Sequence, residues 1–176
     1  MPNDIEFTQG PAGMDESDML VTGQVDALFH AAEPKAYMQG DPKVARLFPD
    51  FRTVEQAYFA KTGIFPIMHA VAIRKDFIEA NPQFPKVVFD AYSQAKKLMY
   101  EHMRKLAWVT LSLPWVAQEL EEVRALMGEN YWPYGIEPNR KSLEALFQYS
   151  YEQGLAAKKL TIEELFHPST LELMES

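Results

Sequence analysis

Strand-like segments are scarce in this 176-residue chain, and their scarcity restricts what the chain can fold into. The two clearest are residues 25–29, which we expect to form a brief buried strand, and residues 67–73, which are dense in apolar and β-branched side chains. Pro66 marks the second as an edge strand or delays its start. An isolated pair of strands is only marginally stable in water, so further strands are needed. The pattern is typical of one part of a larger, helix-rich α/β protein, whose remaining strands we expect upstream.

Most of the remaining sequence is helical in pattern. The longest predicted helix covers residues 84–107, where apolar side chains recur at the 3.6-residue period of an α-helix. We expect this stripe to pack inward; its members are Phe84, Val87, Val88, Ala91, Ala95, Leu98, Met99, His102 and Leu106. Capping and stop residues predict shorter helices elsewhere. Their ranges are 15–22, 43–48, 53–61, 75–80, 115–127, 138–153 and 161–166.

The ends of these shorter helices are predicted from local signals. Serine, threonine and aspartate cap helix starts, a glutamate or glutamine three residues later completes a capping box, and glycine ends helices. The signals are Asp15 as an N-cap, capping boxes that begin at Thr53 and Thr161, and stop glycines at Gly23, Gly63, Gly128 and Gly154. In the helix at 138–153 we expect Leu143, Leu146 and Phe147 to point inward.

Composition limits the possible functions. Hydrophobic residues make up 47% of the chain, which suits one ordinary core. The formal charge of −8 argues against a nucleic-acid partner, so an anionic ligand needs a local cluster of Arg, Lys or His. The absence of cysteine excludes disulfides and thiolate chemistry. We expect no signal peptide and no membrane span, and therefore a soluble, cytoplasmic protein.

Residues 46–69 place charged and hydrogen-bonding side chains among aromatic and apolar neighbours. Such a mixture makes a poor core, because buried polar groups cost free energy unless they are paired. It suits the lining of a cleft that binds a small acidic molecule. The candidate residues for this cleft are Arg46, Arg52, Glu55, Tyr58 and His69.

The candidate binding residues each have a structural alternative. Arg46 and Arg52 offer the bidentate geometry that binds a carboxylate, but both can instead form surface salt bridges. Glu55 and Tyr58 lie at i and i+3 on the helix predicted at 53–61, so both can point at one site. Tyr58 equally fits a packing role.

His69 and His30 are the candidate site histidines. His69 lies near the start of the strand predicted at 67–73, and a histidine that titrates near neutral pH can act as a general acid. His30 follows the strand predicted at 25–29, at the carboxyl end where α/β proteins bind ligands. For each, the alternative is an ordinary hydrogen-bonded histidine. The four histidines are far apart in sequence, so no metal site is expected.

Two short motifs match signatures of penicillin-binding enzymes. They are Ser-x-x-Lys at residues 93–96 and Lys-Thr-Gly at residues 61–63. Their order is reversed, and Ser93 lies inside the longest predicted helix. We interpret both matches as chance.

Three passages, in order along nearly the whole chain, carry a likeness to a known family. They are residues 18–28, 46–76 and 131–145, and the likeness continues through 151–154 and 160–166. Its most specific parts are Gly-Ile-Phe-Pro-Ile-Met-His at 63–69 and Trp-Pro-Tyr-Gly at 132–135. In these passages the chain resembles 4,5-dihydroxyphthalate decarboxylase and its relatives.

The resemblance implies a type II periplasmic-binding-protein-like fold, in which two α/β lobes close over a ligand. This chain would be its C-terminal portion, a single partial α/β unit that is helix-rich with few short strands. About residues 1–35 would end the second lobe, and about residues 36–176 would return to the first lobe and form the C-terminal helices. Half of the ligand cleft would then lie outside this sequence.

The resemblance also implies a reaction. It is the non-oxidative decarboxylation of a small anionic aromatic substrate, 4,5-dihydroxyphthalate, to protocatechuate, and it implies no cofactor. His69 would donate the proton, Arg46 or Arg52 would hold the remaining carboxylate, and His30, Glu55 and Tyr58 would bind the substrate. The alternatives are a non-catalytic binding protein for nitrate, sulfonate or a thiamine precursor, and a truncated, inactive relative.

The missing strands also predict self-association. A chain without them would expose sheet edges or apolar surface, which soluble proteins seldom tolerate. A homo-oligomer, formed by dimerisation or domain swapping, is therefore the expected way to cover that surface.

Overall fold

The computed structural model describes residues 5–6, 8–105 and 112–175. The chain divides into two compact units, Met1–Ala57 and Tyr58–Ser176. The described α-helices are α1 (Glu16–Val21), α2 (Lys35–Met38), α3 (Phe51–Thr62), α4 (Lys75–Ala80), α5 (Phe84–Arg104), α6 (Val116–Met127), α7 (Arg140–Glu152) and α8 (Ile162–Leu165). Glu137–Asn139 and Pro168–Thr170 form 3-10 turns. None of the described helices is long and apolar enough to cross a membrane.

In the first unit, α1 packs against α2. The carboxylate of Asp15 accepts a hydrogen bond from the backbone N–H of Asp18 at 2.8 Å, which confirms the predicted N-cap. Ser17 is buried, and its hydroxyl accepts a hydrogen bond from the backbone N–H of Ala36 at 2.8 Å. This bond satisfies a backbone donor at the start of α2, where Pro34 provides no side-chain cap.

The helical turn predicted at residues 43–48 is wrong. Lys43 lies in a turn, residues 44–46 have no regular structure and residues 47–48 form a bend, and the short helix α2 lies before them. The carboxylate of Asp41 accepts a hydrogen bond from the backbone N–H of Lys43 at 2.9 Å. A side chain that binds the local backbone in this way competes with helix formation and favours a turn.

Helix α3 begins earlier than predicted. Thr53 lies inside the helix, so the predicted capping box is wrong at this position. The carboxylate of Asp50 instead accepts a hydrogen bond from the backbone N–H of Thr53 at 3.3 Å. Gly63 follows the helix with a φ of 65°, in the left-handed region that favours glycine, which confirms the predicted end.

Both predicted strands are absent from the structure. Residues 25–29 and 67–73 have no regular secondary structure, and Phe29, expected to be buried, is 108% exposed. Within the described part of the chain, β-pairing is confined to an antiparallel bridge between Gly135 and Met174. A strand forms only where another backbone accepts and donates its hydrogen bonds, and neither segment meets one here. The structure is therefore helix-rich, consistent with a partial α/β domain.

The apolar core of the second unit lies between α7, α8 and the loops around them. Ile136, Leu143, Phe147 and Ile162 are buried together, with Leu160, Phe166 and Leu171 packed against them. Leu143 and Phe147 point inward as predicted, whereas Leu146 is 53% exposed, which contradicts its prediction. At the start of α8 the predicted capping box of Thr161 and Glu164 is present in both directions.

Gly135 is required by a close backbone approach in this unit. Its φ is 102°, and a Cβ at this position would lie 2.8 Å from the carbonyl oxygen of Leu173. Any other residue would therefore separate the bridge between Gly135 and Met174. This bridge brings the C-terminal segment beside the Trp-Pro-Tyr-Gly passage.

Helix α5 is the longest described helix, as predicted, but its buried face differs from the prediction. The buried residues are Pro85, Lys96 and Tyr100. Most of the predicted apolar stripe is exposed, including Val87 at 58% and Leu98 at 55%. His102 is also exposed, so its predicted packing role is wrong. Leu106 and Ala107, the predicted end of the helix, lie outside the described residues.

Candidate functional site

Arg46 lies at the centre of a cluster of aromatic and acidic side chains in the first unit. Its Nε donates a hydrogen bond to the hydroxyl of Tyr37 at 3.0 Å, and its terminal nitrogen donates to the carboxylate of Glu33. The guanidinium carbon lies 4.4 Å from the ring centroid of Phe51 and 5.1 Å from that of Tyr37. The side chain is still 38% exposed. The cluster therefore combines a fixed positive charge, aromatic faces and access from solvent.

The charge of Arg46 is reinforced by its neighbours. The hydrogen bond with Tyr37 is the largest effect that raises its pKa, and the nearby carboxylates of Glu33 and Glu55 raise it further. A guanidinium has five N–H donors in a planar fork. Tyr37 and Glu33 engage the Nε side, so the rest of the fork can bind a carboxylate.

The other predicted binding residues of the first unit, His30, Arg52 and Glu55, are all exposed. His30 is exposed, and its Nδ1 accepts a hydrogen bond from the backbone N–H of Ala32 at 3.1 Å. Arg52 and Glu55 are exposed on α3, and Glu55 contributes electrostatically to Arg46. Among these candidates, the structure therefore associates Glu55 with Arg46.

The remaining predicted site residues belong to the second unit. Tyr58 is 44% exposed on α3, near the start of that unit. His69 is exposed. It lies within residues 63–74, a segment without regular secondary structure that includes the strand predicted at 67–73. The predicted catalytic histidine thus lies on a solvent-accessible segment rather than in a buried pocket.

The segment that carries His69 is attached at its first residues to the rest of the second unit. Phe65 meets Trp132 edge-to-face, with 5.4 Å between ring centroids. The hydroxyl of Ser142 donates a hydrogen bond to the carbonyl of Phe65 at 3.4 Å. The two most specific passages of the sequence, at 63–69 and 132–135, therefore meet in space. Residues 66–73, in contrast, make no described backbone hydrogen bonds.

The ammonium of Lys96, which sequence reasoning missed, is fully hydrogen-bonded within the second unit. Only 7% of its side chain is exposed. Its Nζ donates to the amide oxygen of Asn130 at 2.8 Å, the carbonyl of Trp132 at 2.7 Å and the carboxylate of Glu175 at 2.6 Å. It also lies 4.4 Å from the ring centroid of Tyr134. The three donors of the ammonium are matched by three acceptors, which compensates its removal from water.

Glu175 receives two further hydrogen bonds around the same ammonium. The amide of Asn130 and the backbone N–H of Tyr134 each donate to it at 2.9 Å. Burial raises the pKa of Glu175, but the hydrogen bonds from Lys96, Tyr134 and Asn130 together outweigh burial and lower it. The carboxylate is therefore stabilised in its charged form.

Tyr100 completes this network from α5. Its ring stacks on Tyr131 with 4.6 Å between centroids, and its hydroxyl accepts a hydrogen bond from the backbone N–H of Trp132 at 3.1 Å. Burial is the main cause that raises the pKa of Tyr100 to about 12. The hydroxyl stays protonated at neutral pH. The three acceptors of the Lys96 ammonium are thus committed to structure, which makes the network a poor proton-transfer site.

Neither a nucleophile nor a metal site emerges from the described residues. The hydroxyl of Ser93 is buried and makes no hydrogen bond, so Lys96, one turn away, does not activate it. This supports the interpretation of the Ser-x-x-Lys match as chance. No cluster of His, Asp and Glu in the described parts of the chain can hold a metal ion.

An open groove of about 580 Å³ runs along the polar face of α5 beside this network. Its cations are largely paired: Lys86 with Asp90 at 2.6 Å, and Arg104 with Glu129 at 2.6 Å. The groove thus alternates positive and negative charge.

The sequence is similar to that of a known decarboxylase. No protein-family model matches the sequence. The chain is 27% identical over 172 residues to the 4,5-dihydroxyphthalate decarboxylase of Comamonas testosteroni, a match that covers 98% of this chain and 52% of that protein. The chain therefore spans about half the length of the curated relative it matches. The similarity supports a distant relationship along the whole of the present sequence.

The buried pair of Lys96 and Glu175 gives a stability prediction. Glu175→Gln should destabilise the protein by about 3 kcal/mol at neutral pH, because it leaves a buried ammonium without its counter-charge. Glu164→Gln is the matched control, since its partner Lys158 is 67% exposed and glutamine also completes a capping box. Urea unfolding followed by circular dichroism measures both. Equal losses in the two variants would contradict the assigned role of Glu175.

The lowered pKa of Glu175 gives a pH dependence. A carboxylate whose folded pKa lies below the unfolded value of about 4.3 contributes stability above that value and loses it as pH falls through the folded pKa. The difference in unfolding free energy between wild type and Glu175→Gln should therefore shrink below about pH 4. Urea titrations at a series of pH values test this. A difference that stays constant to pH 3 would show that the charge of Glu175 is not responsible.

Proposed function

We propose that this chain supplies part of the substrate site of a decarboxylase-like protein, which converts 4,5-dihydroxyphthalate to protocatechuate and carbon dioxide. The observation that carries the proposal is the match to the Comamonas testosteroni 4,5-dihydroxyphthalate decarboxylase along 98% of this chain. Because the match spans 52% of that protein, we propose that the complete activity requires an assembly larger than this chain. The proposed fold of that assembly is a two-lobed, type II periplasmic-binding-protein-like one.

Arg46 is proposed to bind the carboxylate that remains on the ring. A bidentate guanidinium–carboxylate pair fixes both the position and the plane of an aromatic acid. Phe51 and Tyr37, which already contact the Arg46 guanidinium, offer apolar surface for the ring itself. Arg52 and Glu55 on α3, Tyr58 and His30 are proposed to contact the hydroxyl and carboxylate groups.

His69 is proposed to be the general acid. A protonated imidazole transfers its proton to the ring carbon that carries the departing carboxylate, and a ring hydroxyl para to that carbon supplies electron density for the new C–H bond. The C–C bond to the carboxylate then breaks, carbon dioxide leaves, and the bonding electron pair restores the aromatic ring. The exposure of His69 leaves it accessible to a substrate and able to regain its proton from solvent.

The catalytic proposal predicts a specific effect of His69→Ala. The variant should lower carbon dioxide release from 4,5-dihydroxyphthalate about a hundredfold or more, since a lost proton donor costs that much in rate. The assay uses the chain together with a polypeptide equivalent to the unmatched half of the relative. His167→Ala is the control, because His167 caps the turn at Pro168–Thr170 and belongs to neither the proposed site nor α5, so this variant should keep the turnover of wild type.

The same assay separates catalysis from binding alone. Wild-type turnover in the His69→Ala variant would remove His69 from the mechanism. If the wild-type assembly binds the compound in calorimetry but releases no carbon dioxide, the protein is a solute-binding protein rather than a decarboxylase. An assembly that neither binds 4,5-dihydroxyphthalate nor releases carbon dioxide from it would be an inactive relative.

The binding role of Arg46 can be tested with a conservative change. Arg46→Lys keeps the positive charge but loses the planar fork, so the Kd for 4,5-dihydroxyphthalate should rise about tenfold in isothermal titration calorimetry. Arg74→Lys is the matched control, because Arg74 also pairs with a neighbouring acid, Asp76, and its side chain is 80% exposed. Equal affinities in both variants would exclude Arg46 from the site.

A further inference from the structure

Helix α5 presents an apolar face to solvent. Val87 is 58% exposed, Leu98 is 55% exposed and Met99 is 47% exposed. Ala91 and Ala95 lie between them at helical spacing and are also exposed. We call these five residues the α5 stripe. Soluble proteins seldom leave a contiguous apolar row uncovered, and such a row marks an interaction surface.

The α5 stripe is distinct from the face that α5 uses within this chain. The helix already buries Pro85, Lys96 and Tyr100 on another side, about a third of a turn away at 3.6 residues per turn. The third side carries charged residues such as Lys86, Asp90 and Lys97. Small alanines between larger apolar residues allow another element to approach the helix axis closely. The stripe thus has the form of a second packing surface.

A second observation indicates what kind of partner is needed. Residues 67–73 have the composition of a strand, and no backbone hydrogen bond is described for them. Their side chains are open to solvent, with Met68 at 64% and Val71 at 59% exposed. A backbone of this kind is satisfied by a neighbouring strand. The partner is therefore an α/β polypeptide that brings strands.

The comparison limits the identity of that polypeptide. The Comamonas testosteroni relative contains an equivalent of this chain within a protein of which the match covers only 52%. The rest of that protein has no counterpart in the matched sequence. A second copy of this chain is the weaker candidate, because each copy carries a formal charge of −8 and brings no described strand of its own.

We propose that the α5 stripe is the docking surface for a polypeptide equivalent to the unmatched half of the decarboxylase relative, and that residues 67–73 pair with a strand of that polypeptide. The inference rests on the relationship used in the proposed function and extends it to the assembly of the site. Pairing of residues 67–73 fixes the segment that carries His69. Docking therefore prepares the proposed acid for its role.

The test measures binding between the purified chain and the unmatched half of the Comamonas testosteroni decarboxylase by isothermal titration calorimetry. Leu98→Asp places a charge in the stripe and should weaken binding at least about tenfold. Lys97→Asp is the matched control, since it puts the same residue on the charged side of α5, about 100° around the helix from Leu98, and it should bind like wild type. Circular dichroism checks that both variants keep the helix content of wild type.

Hydrogen exchange tests the strand pairing separately. The amides of residues 67–73 should become protected in the complex and stay unprotected in the free chain. Unchanged exchange on binding would overturn the pairing. Absence of binding, or equal binding by the two aspartate variants, would overturn the docking surface.

Two further outcomes separate this inference from related ideas. If the chain alone sediments as a dimer that Leu98→Asp dissociates, a second copy covers the stripe and the proposed partner is wrong. If the two polypeptides bind through the stripe but release no carbon dioxide from 4,5-dihydroxyphthalate, the docking inference holds and the decarboxylase proposal fails. The binding measurement therefore tests the docking surface, and the carbon dioxide assay separately tests the decarboxylase proposal.

Discussion

The second unit depends on the burial of one ammonium group. Lys96 is enclosed by Asn130, the carbonyl of Trp132 and Glu175, so α5, the loop after α6 and the C-terminal segment are held to the same point. A buried charge is strongly destabilising when it loses its partner, which makes the three connections mutually dependent. The backbone bridge between Gly135 and Met174 places Glu175 where it can reach Lys96. The network thereby fixes which face of α5 turns inward.

Lys96 also explains which features could be predicted from the sequence. The N-cap at Asp15, the capping box at Thr161 and the helix end at Gly63 depend on residues within one turn, and the structure confirms them. The buried face of α5 depends on Glu175, 79 positions away in the chain, and no local pattern contains that contact. Periodicity therefore identified the helix and its apolar stripe but selected the wrong side as buried.

For the same reason, the structure supports only a part of the predicted site. An arginine beside aromatic residues is a local signal, and Arg46 indeed lies against Phe51, five positions along the chain. Its pairing with Glu33 and Tyr37 required the turn after α2, which was predicted as a helix. The predicted roles of His30, Arg52, Glu55, Tyr58 and His69 all involve a ligand, so local sequence cannot fix their geometry. For these residues the roles stay predictions.

The unpaired segment at residues 67–73 and the exposed face of α5 lead to the same physical conclusion. A strand-like sequence gains its stability from a neighbouring backbone, and an amphipathic helix gains its stability from the surface that covers its apolar side. Within the described residues, the segment at 67–73 has no neighbouring strand and the apolar face of α5 is not covered. The second unit nevertheless has its own core at Ile136, Leu143, Phe147 and Ile162. Catalysis demands more than stability, because a proton donor must be held close to its target in a defined orientation. His69 lies within the unpaired segment at residues 67–73. A partner that pairs with this segment and covers the exposed face of α5 would therefore also hold the proposed acid in a defined position.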